Sequence, residues 1–274
     1  SREASREELN RLFQKSGNIH FEVTPVANAS LNDLDTSKII DYFKNYRSTD
    51  MENYTDEEKE NILINSDITV KYEDKIVPTI AGMLLFGKRP KQFLPQAGIR
   101  TMLIDGNDLS DNVIDHKFFE RDIFSNLENA LDYVKVRINT GFEIKDEAQR
   151  KDIVDYPISV LRELIVNAIA HRDYTITGSN IAIIIFKDRI EIKSPGSIPN
   201  TLTIEKMKQG IMYHRNPLLV QFLYDSGYVE RLGRGIRNSV RKMKEFNGTD
   251  IEISSDRTET VFKVFKGNNL SSPK

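Results

Sequence analysis

The C-terminal half of this chain switches twice between helical and strand-like apolar patterns, and that switching limits the folds open to it. Residues 158–174 carry Val160, Leu161, Leu164, Ile165, Ala168 and Ile169 at helical spacing. Residues 180–186 then form a short apolar run of the kind a buried strand shows. Lys187-Asp188 reads as a two-residue turn, although it is not the favoured Asn-Gly pair, and 189–193 returns as a second strand. A Pro/Gly loop follows at 194–200, then helical segments at 203–208, 217–224 (stopped by Gly227) and 236–246. A second hairpin, 251–254 with 260–265, closes the pattern. An isolated hairpin is marginal in water, so the two hairpins must share a sheet and bury one face under the helices. The expected class is α+β, with a mostly antiparallel sheet carrying helices on one face in the C-terminal part.

The N-terminal half is less regular. A helix is expected near 5–13, with Leu9, Leu12 and Phe13 on one side and Gly17-Asn18 as its stop. An extended arm with Pro25 covers 19–29, and a cap at 31–35 precedes Ile39, Ile40 and Phe43 at helical spacing. The charged stretch 56–60 reads as a solvated helix face. Two short strands flank the turn Glu73-Asp74, and an apolar helix fills 79–86 until Gly87-Lys88-Arg89-Pro90. A strand at 97–104, a turn at Gly106-Asn107 and an amphipathic helix over 118–139 complete this half, with Phe124, Leu127, Leu131 and Val134 on the helix's apolar side. Residues 145–152 hold six charges in eight positions. The boundary is placed there: an N-terminal α+β region at 1–150, a second domain at 151–268 and a polar tail at 269–274.

Composition removes several function classes. Lys and Arg number 39 and Asp and Glu 41, so a uniformly basic nucleic-acid binder is excluded, though a local basic face is not. There is no cysteine among the 274 residues, hence no disulfide framework, thiolate zinc site or cysteine nucleophile, which fits a reducing cytosol. The apolar runs 83–86 and 182–186 fall far short of the roughly 20 residues a membrane helix needs. The chain starts at Ser1 rather than Met, and a fragment of a longer protein is expected.

Three groups of residues can carry chemistry. Glu163 and Asn167 lie four apart in the 158–174 helix and share a face that His171 and Arg172 extend. A carboxylate one turn from a carboxamide can activate water and help hold a hydrated cation, but the same spacing also occurs on ordinary polar helix stripes. Ser194-Pro195-Gly196-Ser197-Ile198-Pro199 breaks a strand sharply, and Gly196 lets another group approach the backbone. Gly233-Arg234-Gly235 precedes the 236–246 helix, where exposed amides and the helix dipole make an anion cradle. Segment 205–244 holds nine Lys/Arg against three acids, an excess that would attract phosphate. A helix-turn-helix reading of 218–243 meets a turn, 225–235, longer than the usual three or four residues. His20, His116 and His214 are isolated, no zinc spacing or Gly-x-Ser-x-Gly elbow occurs, and no Gly-x-x-x-x-Gly-Lys-Ser/Thr loop supports a helicase motor.

The order of these groups resembles a known family. Glu163-Leu-Ile-Val-Asn167-Ala-Ile-Ala-His171-Arg-Asp-Tyr174, then Ile192-Lys-Ser-Pro-Gly196-Ser-Ile-Pro199, then Arg231-Leu-Gly233-Arg-Gly235-Ile236 is similar to the C-terminal region of RecG-like, Schlafen-related predicted transcriptional regulators. That region resembles the histidine-kinase-like (GHKL) ATPase fold of gyrase, Hsp90 and MutL. Pro78-Thr79-Ile80-Ala81-Gly82-Met83-Leu84-Leu85-Phe86-Gly87 and Ile19-His20-Phe21-Glu22 extend the likeness upstream. The resemblance implies Glu163 as general base, Asn167 as the Mg²⁺ ligand, and Gly196 in the adenine-side loop. It further implies Gly233 and Gly235 as the phosphate-side glycines, Arg234 on phosphate, and His171 and Arg172 beside the nucleotide. ATP and Mg²⁺ are the cofactors it implies, with 197–232 as the lid. One position departs: the family's adenine-recognising aspartate is Ser194 here, which lacks a carboxylate's charge-assisted strength. The function implied is an ATP-binding, weakly hydrolysing regulatory module of a DNA-binding regulator. In that family an AlbA-like or Schlafen-like domain, absent from this chain, would contact DNA. A homodimer is compatible and a membrane is not expected. The alternative is a non-enzymatic DNA-binding or dimerisation module with a degenerate nucleotide site.

Overall fold

The computed structural model describes residues 20–138, 155–198, 202–211, 214–229 and 235–267. The expected helix at 5–13, the boundary stretch 145–152 and the tail 269–274 lie outside them. In chain order the described elements begin with α1 (Thr36–Tyr46), α2 (Asp56–Asn65), β1 (Thr69–Tyr72), β2 (Lys75–Pro78), α3 (Ile80–Phe86) and α4 (Pro90–Phe93). They continue with β3 (Ile99–Ile104), β4 (Val113–Phe119), α5 (Ile123–Ile138), α6 (Ile158–His171), β5 (Ile181–Ile185) and β6 (Arg189–Pro195). The last are α7 (Ile204–Lys208), α8 (Pro217–Asp225), α9 (Gly235–Asn247), β7 (Ile251–Ser255) and β8 (Glu259–Phe265).

The architecture is mixed α+β, as the patterning predicts. β1 and β2 form a separate two-stranded hairpin, and the other six strands make one sheet in the order β4-β3-β5-β6-β8-β7. Every neighbouring pair in it is antiparallel except β3 with β5. Residues 180–186 read as a continuous apolar run because β5 packs on both faces, with Ile183 in the main core and Ile184 and Phe186 in a satellite cluster. Both expected hairpins are present, and the β5–β6 turn is Lys187-Asp188. β3 and β4 precede residue 150 and the other four strands follow it, so the sheet draws on both sides of the expected boundary.

The helices α5, α6 and α9 cover one face. Leu161, Leu164, Ile165 and Ala168 of α6 are fully buried in the same cluster as Ile183, Ile190, Ile192, Ile251 and Val264 of the sheet. The opposite face carries a charged ladder in which Glu191 receives Arg189, Lys193 and Lys263. A small satellite cluster of Ile104, Ile184 and Phe186 lies outside the main core. Among the described residues no helix is long and apolar enough to cross a membrane.

One element departs from expectation. The helix read over 118–139 starts only at Ile123, because Phe118 and Phe119 belong to β4 and pair with Arg100 and Ile99. Asp122 explains the stop: its Oδ1 accepts from the amide of Ser125 (3.0 Å), and its Oδ2 accepts from Lys38 Nζ (2.6 Å). It caps α5 and cannot lie inside it.

Helix α8 is capped from a distance. Its N-cap residue, Asn216, sends its side chain elsewhere, so the amides of Leu218 and Leu219 need another acceptor. Glu22 provides it, accepting from Leu218 N (2.8 Å) and Leu219 N (3.0 Å) across 196 and 197 residues of sequence. The carboxyl is fully buried. Burial pushes its pKa up to about 7, against the downward pull of the two amides, and Asp67 pushes it further up. Between pH 4.5 and 7 the folded chain thus holds a proton that the unfolded chain has released. The stabilisation is full below about 4.5 and is lost as pH rises towards 7. Denaturant titrations of the wild type and Glu22→Gln across this window should give a stability difference that shifts against the wild type as pH rises. The shift should reach about 3 kcal/mol at most, and a pH-independent difference would refute the assignment.

Candidate functional site

The α6 helix places the acidic face. Glu163, Asn167 and His171 all line one cleft, stacked at successive turns. Asn167 Nδ2 donates to the backbone carbonyl of Glu163 (2.7 Å) and to its Oε1 (2.8 Å). The amide therefore steadies the carboxylate, and Oδ1 is the asparagine atom left to accept a donor or ligate a cation.

Against this face stands the start of α9. Gly235 lies so close to Glu163 that a Cβ placed on it would sit 1.6 Å from Oε1. A side chain at residue 235 would have to push the carboxylate aside, and Glu163 faces the amino end of a 13-residue helix. Gly233 and Arg234, the other expected phosphate-side residues, lie outside the described residues.

The inner wall is built from hydroxyls that the β-strands present. Ser194 is buried at the end of β6, and its Oγ donates to the carbonyl of Ala168 in α6 (2.8 Å). Thr260 Oγ1 on β8 donates to the carbonyl of Gly196 (2.9 Å) and meets Ser255 Oγ at 3.0 Å. Gly196 adopts φ +112°, and a Cβ there would collide with Arg215 and Asp173. Arg215 reaches the cleft from the residue pair before α8, donating from Nη2 to Ser197 O (2.6 Å) and pairing with Asp173 (3.1 Å). Ile198, Leu202, Met207, Ile211, Ile236 and Phe262 supply the apolar lining.

The electrostatics separate the residues further. The rings of His171 and His214 stack with centroids 5.7 Å apart. Burial, then His214 and Arg215, pull the His171 pKa down to about 3, so it stays neutral and acts as a hydrogen-bonding rather than a charged wall. Arg172 does not line the cleft. It is 1% exposed, and its guanidinium donates to the carbonyls of Asp173, Ile176 and Ser179, a structural cage at the end of α6.

Of the expected residues, Glu163, Asn167, His171, Ser194 and Gly235 converge on the cleft, with Gly196 shaping its rim. Arg215 and Thr260 join them unannounced. Arg215 was one cation among nine in a basic segment, and Thr260 one residue of a strand; only the fold brings them in. Among the described residues no group of three or more His, Cys, Asp or Glu could hold a metal ion. A cation here would need ligand oxygens beyond the protein's carboxylates.

Two family models match parts of the chain. Residues 178–264 match HATPase_c_4, described as "Putative ATP-dependent DNA helicase recG C-terminal". Residues 10–99 match a domain of unknown function, DUF8451. The chain therefore contains a RecG-like C-terminal, ATPase-like region. That stretch takes in Ser194, Gly235 and Thr260, whereas Glu163, Asn167 and His171 lie before it. No curated protein sequence matches the chain. Among solved structures, the DIP2311 protein from Corynebacterium diphtheriae is similar at 19% identity with a TM-score of 0.67. The likeness covers 97% of this chain and is one of fold; the chain spans about half (51%) of that protein's length.

The contact between Gly235 and Glu163 has a measurable sign. An alanine inside a helix normally stabilises by roughly 0.5–1 kcal/mol relative to glycine, and by less at its first residue. Gly235→Ala should instead destabilise in the wild type, because the methyl group displaces the carboxylate, and should stabilise in a Glu163→Ala background. Denaturant midpoints of the four proteins test this, and the same sign in both backgrounds would exclude the contact.

Proposed function

We propose that the cleft is a GHKL-type nucleotide site that binds ATP with Mg²⁺ and turns it over slowly. The carrying observation is the convergence of Glu163, Asn167, Gly235, Ser194 and Thr260 on one cleft. The residues present fit such a ligand. Apolar side chains can sandwich a base, the amino end of α9 suits phosphate, and Asn167 Oδ1 can ligate the cation. When bound, Mg²⁺ neutralises phosphate charge, filling its remaining positions with phosphate oxygens and water.

The chain's own groups divide the remaining work. Glu163, held by Asn167, would take the proton of an attacking water. Ser194 gives its proton to Ala168 O, so toward the cleft its oxygen is an acceptor. It can receive the amino group of adenine, but as a neutral acceptor it binds less strongly than a carboxylate. The neutral His171 adds no charge. Gly233 and Arg234 are proposed on the phosphates from the resemblance alone. The regulatory setting, an ATP-responsive module serving a DNA-binding regulator in the cytoplasm, belongs to the same proposal. Exposed Arg237 and Arg241 on α9 favour a second reading as a DNA-binding face, although Arg241 lies 3.8 Å from Glu245.

Calorimetry with ATP should show binding that requires Mg²⁺. Glu163→Gln should retain it while losing at least about 100-fold of any turnover, the lower end of the usual general-base contribution. An absence of heat and of thermal shift at millimolar ATP would end the proposal, and unchanged turnover would remove Glu163 from it. Ser194→Asp separates this chain from its relatives. A carboxylate cannot donate to Ala168 O, so the substitution should cost about 1–3 kcal/mol of stability rather than restore the family's adenine contact. A stable variant with tighter ATP binding would show the opposite.

A further inference from the structure

Glu22 lies outside the cleft, yet the two backbone groups it binds belong to the segment that forms the cleft's wall. Leu218 and Leu219 are in the first turn of α8. Immediately before that turn stand Asn216 and Arg215. Asn216 Nδ2 donates to the carbonyls of Ala170 (2.9 Å) and Arg172 (2.8 Å), binding the end of α6. Arg215 holds Ser197 O and Asp173, and so the loop that follows β6. Asn216, at the N-cap, spends its amide on α6 rather than on its own helix. The first turn of α8 is therefore anchored by one remote carboxylate, and that anchor sets where Arg215 and Asn216 begin.

We infer that Glu22 is a positioning residue for the cleft, acting through the first turn of α8 on Arg215, Asn216 and the 194–198 wall. The inference makes the segment around 20–24 a mechanical part of a site otherwise built from residues beyond 157. It rests on the nucleotide reading only for the ligand used to probe it. Movement of the Phe21–Val23 turn would be felt at Ser197, and closure of the cleft would be felt at Glu22.

The test pairs two variants with a control. Glu22→Ala removes both acceptors, whereas Glu22→Gln keeps one carbonyl oxygen for the two amides. Met51→Ala, in the buried turn that packs on α1, serves as a destabilised control that does not line the cleft. At a temperature where all are folded by circular dichroism, Glu22→Ala should weaken Mg-ATP binding about tenfold or more. Glu22→Gln should weaken it less, and Met51→Ala should leave it unchanged. A purely structural cap would lower the denaturation midpoint of Glu22→Ala while leaving its affinity equal to that of Met51→Ala, which would overturn the inference. Hydrogen exchange without ligand gives an independent reading. Amides at 194–198 should exchange faster in Glu22→Ala but not in Met51→Ala, and acceleration confined to 21–24 and 218–221 would also overturn it. If the wild type binds no nucleotide, the proposed function fails, and the exchange result alone decides the role of Glu22.

Discussion

Helix α6 ends in the protein interior, and the unpaired carbonyls of its last turn organise everything around the cleft. A helix leaves four carbonyls without partners, and in a buried setting each costs about 1–3 kcal/mol if left so. Here side chains from three directions meet them. Ser194 on β6 takes Ala168, Tyr174 takes Ile169 (3.3 Å), and Asn216 takes Ala170 together with the Arg172 carbonyl beyond the helix. Arg172 then closes the following turn on three more carbonyls. These bonds tie the sheet, the 173–179 turn and α8 to one helix end, with Asn167 and Glu163 one and two turns back from it. The Glu163–Asn167 face has a fixed position because satisfying the helix end admits few arrangements.

That requirement also gives Ser194 a physical reason. In the nucleotide-binding family that the chain resembles, this position is an aspartate. An aspartate would set acceptor against acceptor at Ala168 O, so the serine answers a need of the backbone as well as any need of a ligand. That hydroxyl secures the end of the helix that carries Glu163 and Asn167.

Much of this was legible in the sequence, and the failures have identifiable causes. Both hairpins announced themselves because their strands are short apolar-rich runs joined by short polar turns. The α6 face was legible because i, i+4 spacing alone places Glu163 beside Asn167. β4 was not, since it is an edge strand whose residues are largely exposed, Ile114 at 57%. The helical reading runs over its Phe118 and Phe119, which stand six and five residues before Phe124 and off its stripe, and pairing with β3 makes them strand. Arg172 read as an extension of the polar face, but the helix ends beneath it and burial turns it to the carbonyls. Glu22 and Arg215 could not be placed in advance, because their meaning lies in partners: amides 196 residues away for one, a loop carbonyl for the other.

The charges nearest the cleft follow the same logic of position over strength. Arg215 and Asp173 are 8% and 7% exposed, and a buried ion pair of this kind contributes little net stability because both ions lose their water. What such a pair supplies is definition, since either partner alone would be a costly buried charge. Arg215 is held by Asp173 on one side and Ser197 on the other, and Gly196 has no side chain so that both fit. The guanidinium at the cleft edge is therefore fixed before any ligand arrives. An anion entering there would meet an oriented donor and incur little reorganisation, while one approaching the neutral imidazoles of His171 and His214 would gain no charge. The cleft is thus polarised along its length by burial, and not by the near-neutral total of the chain.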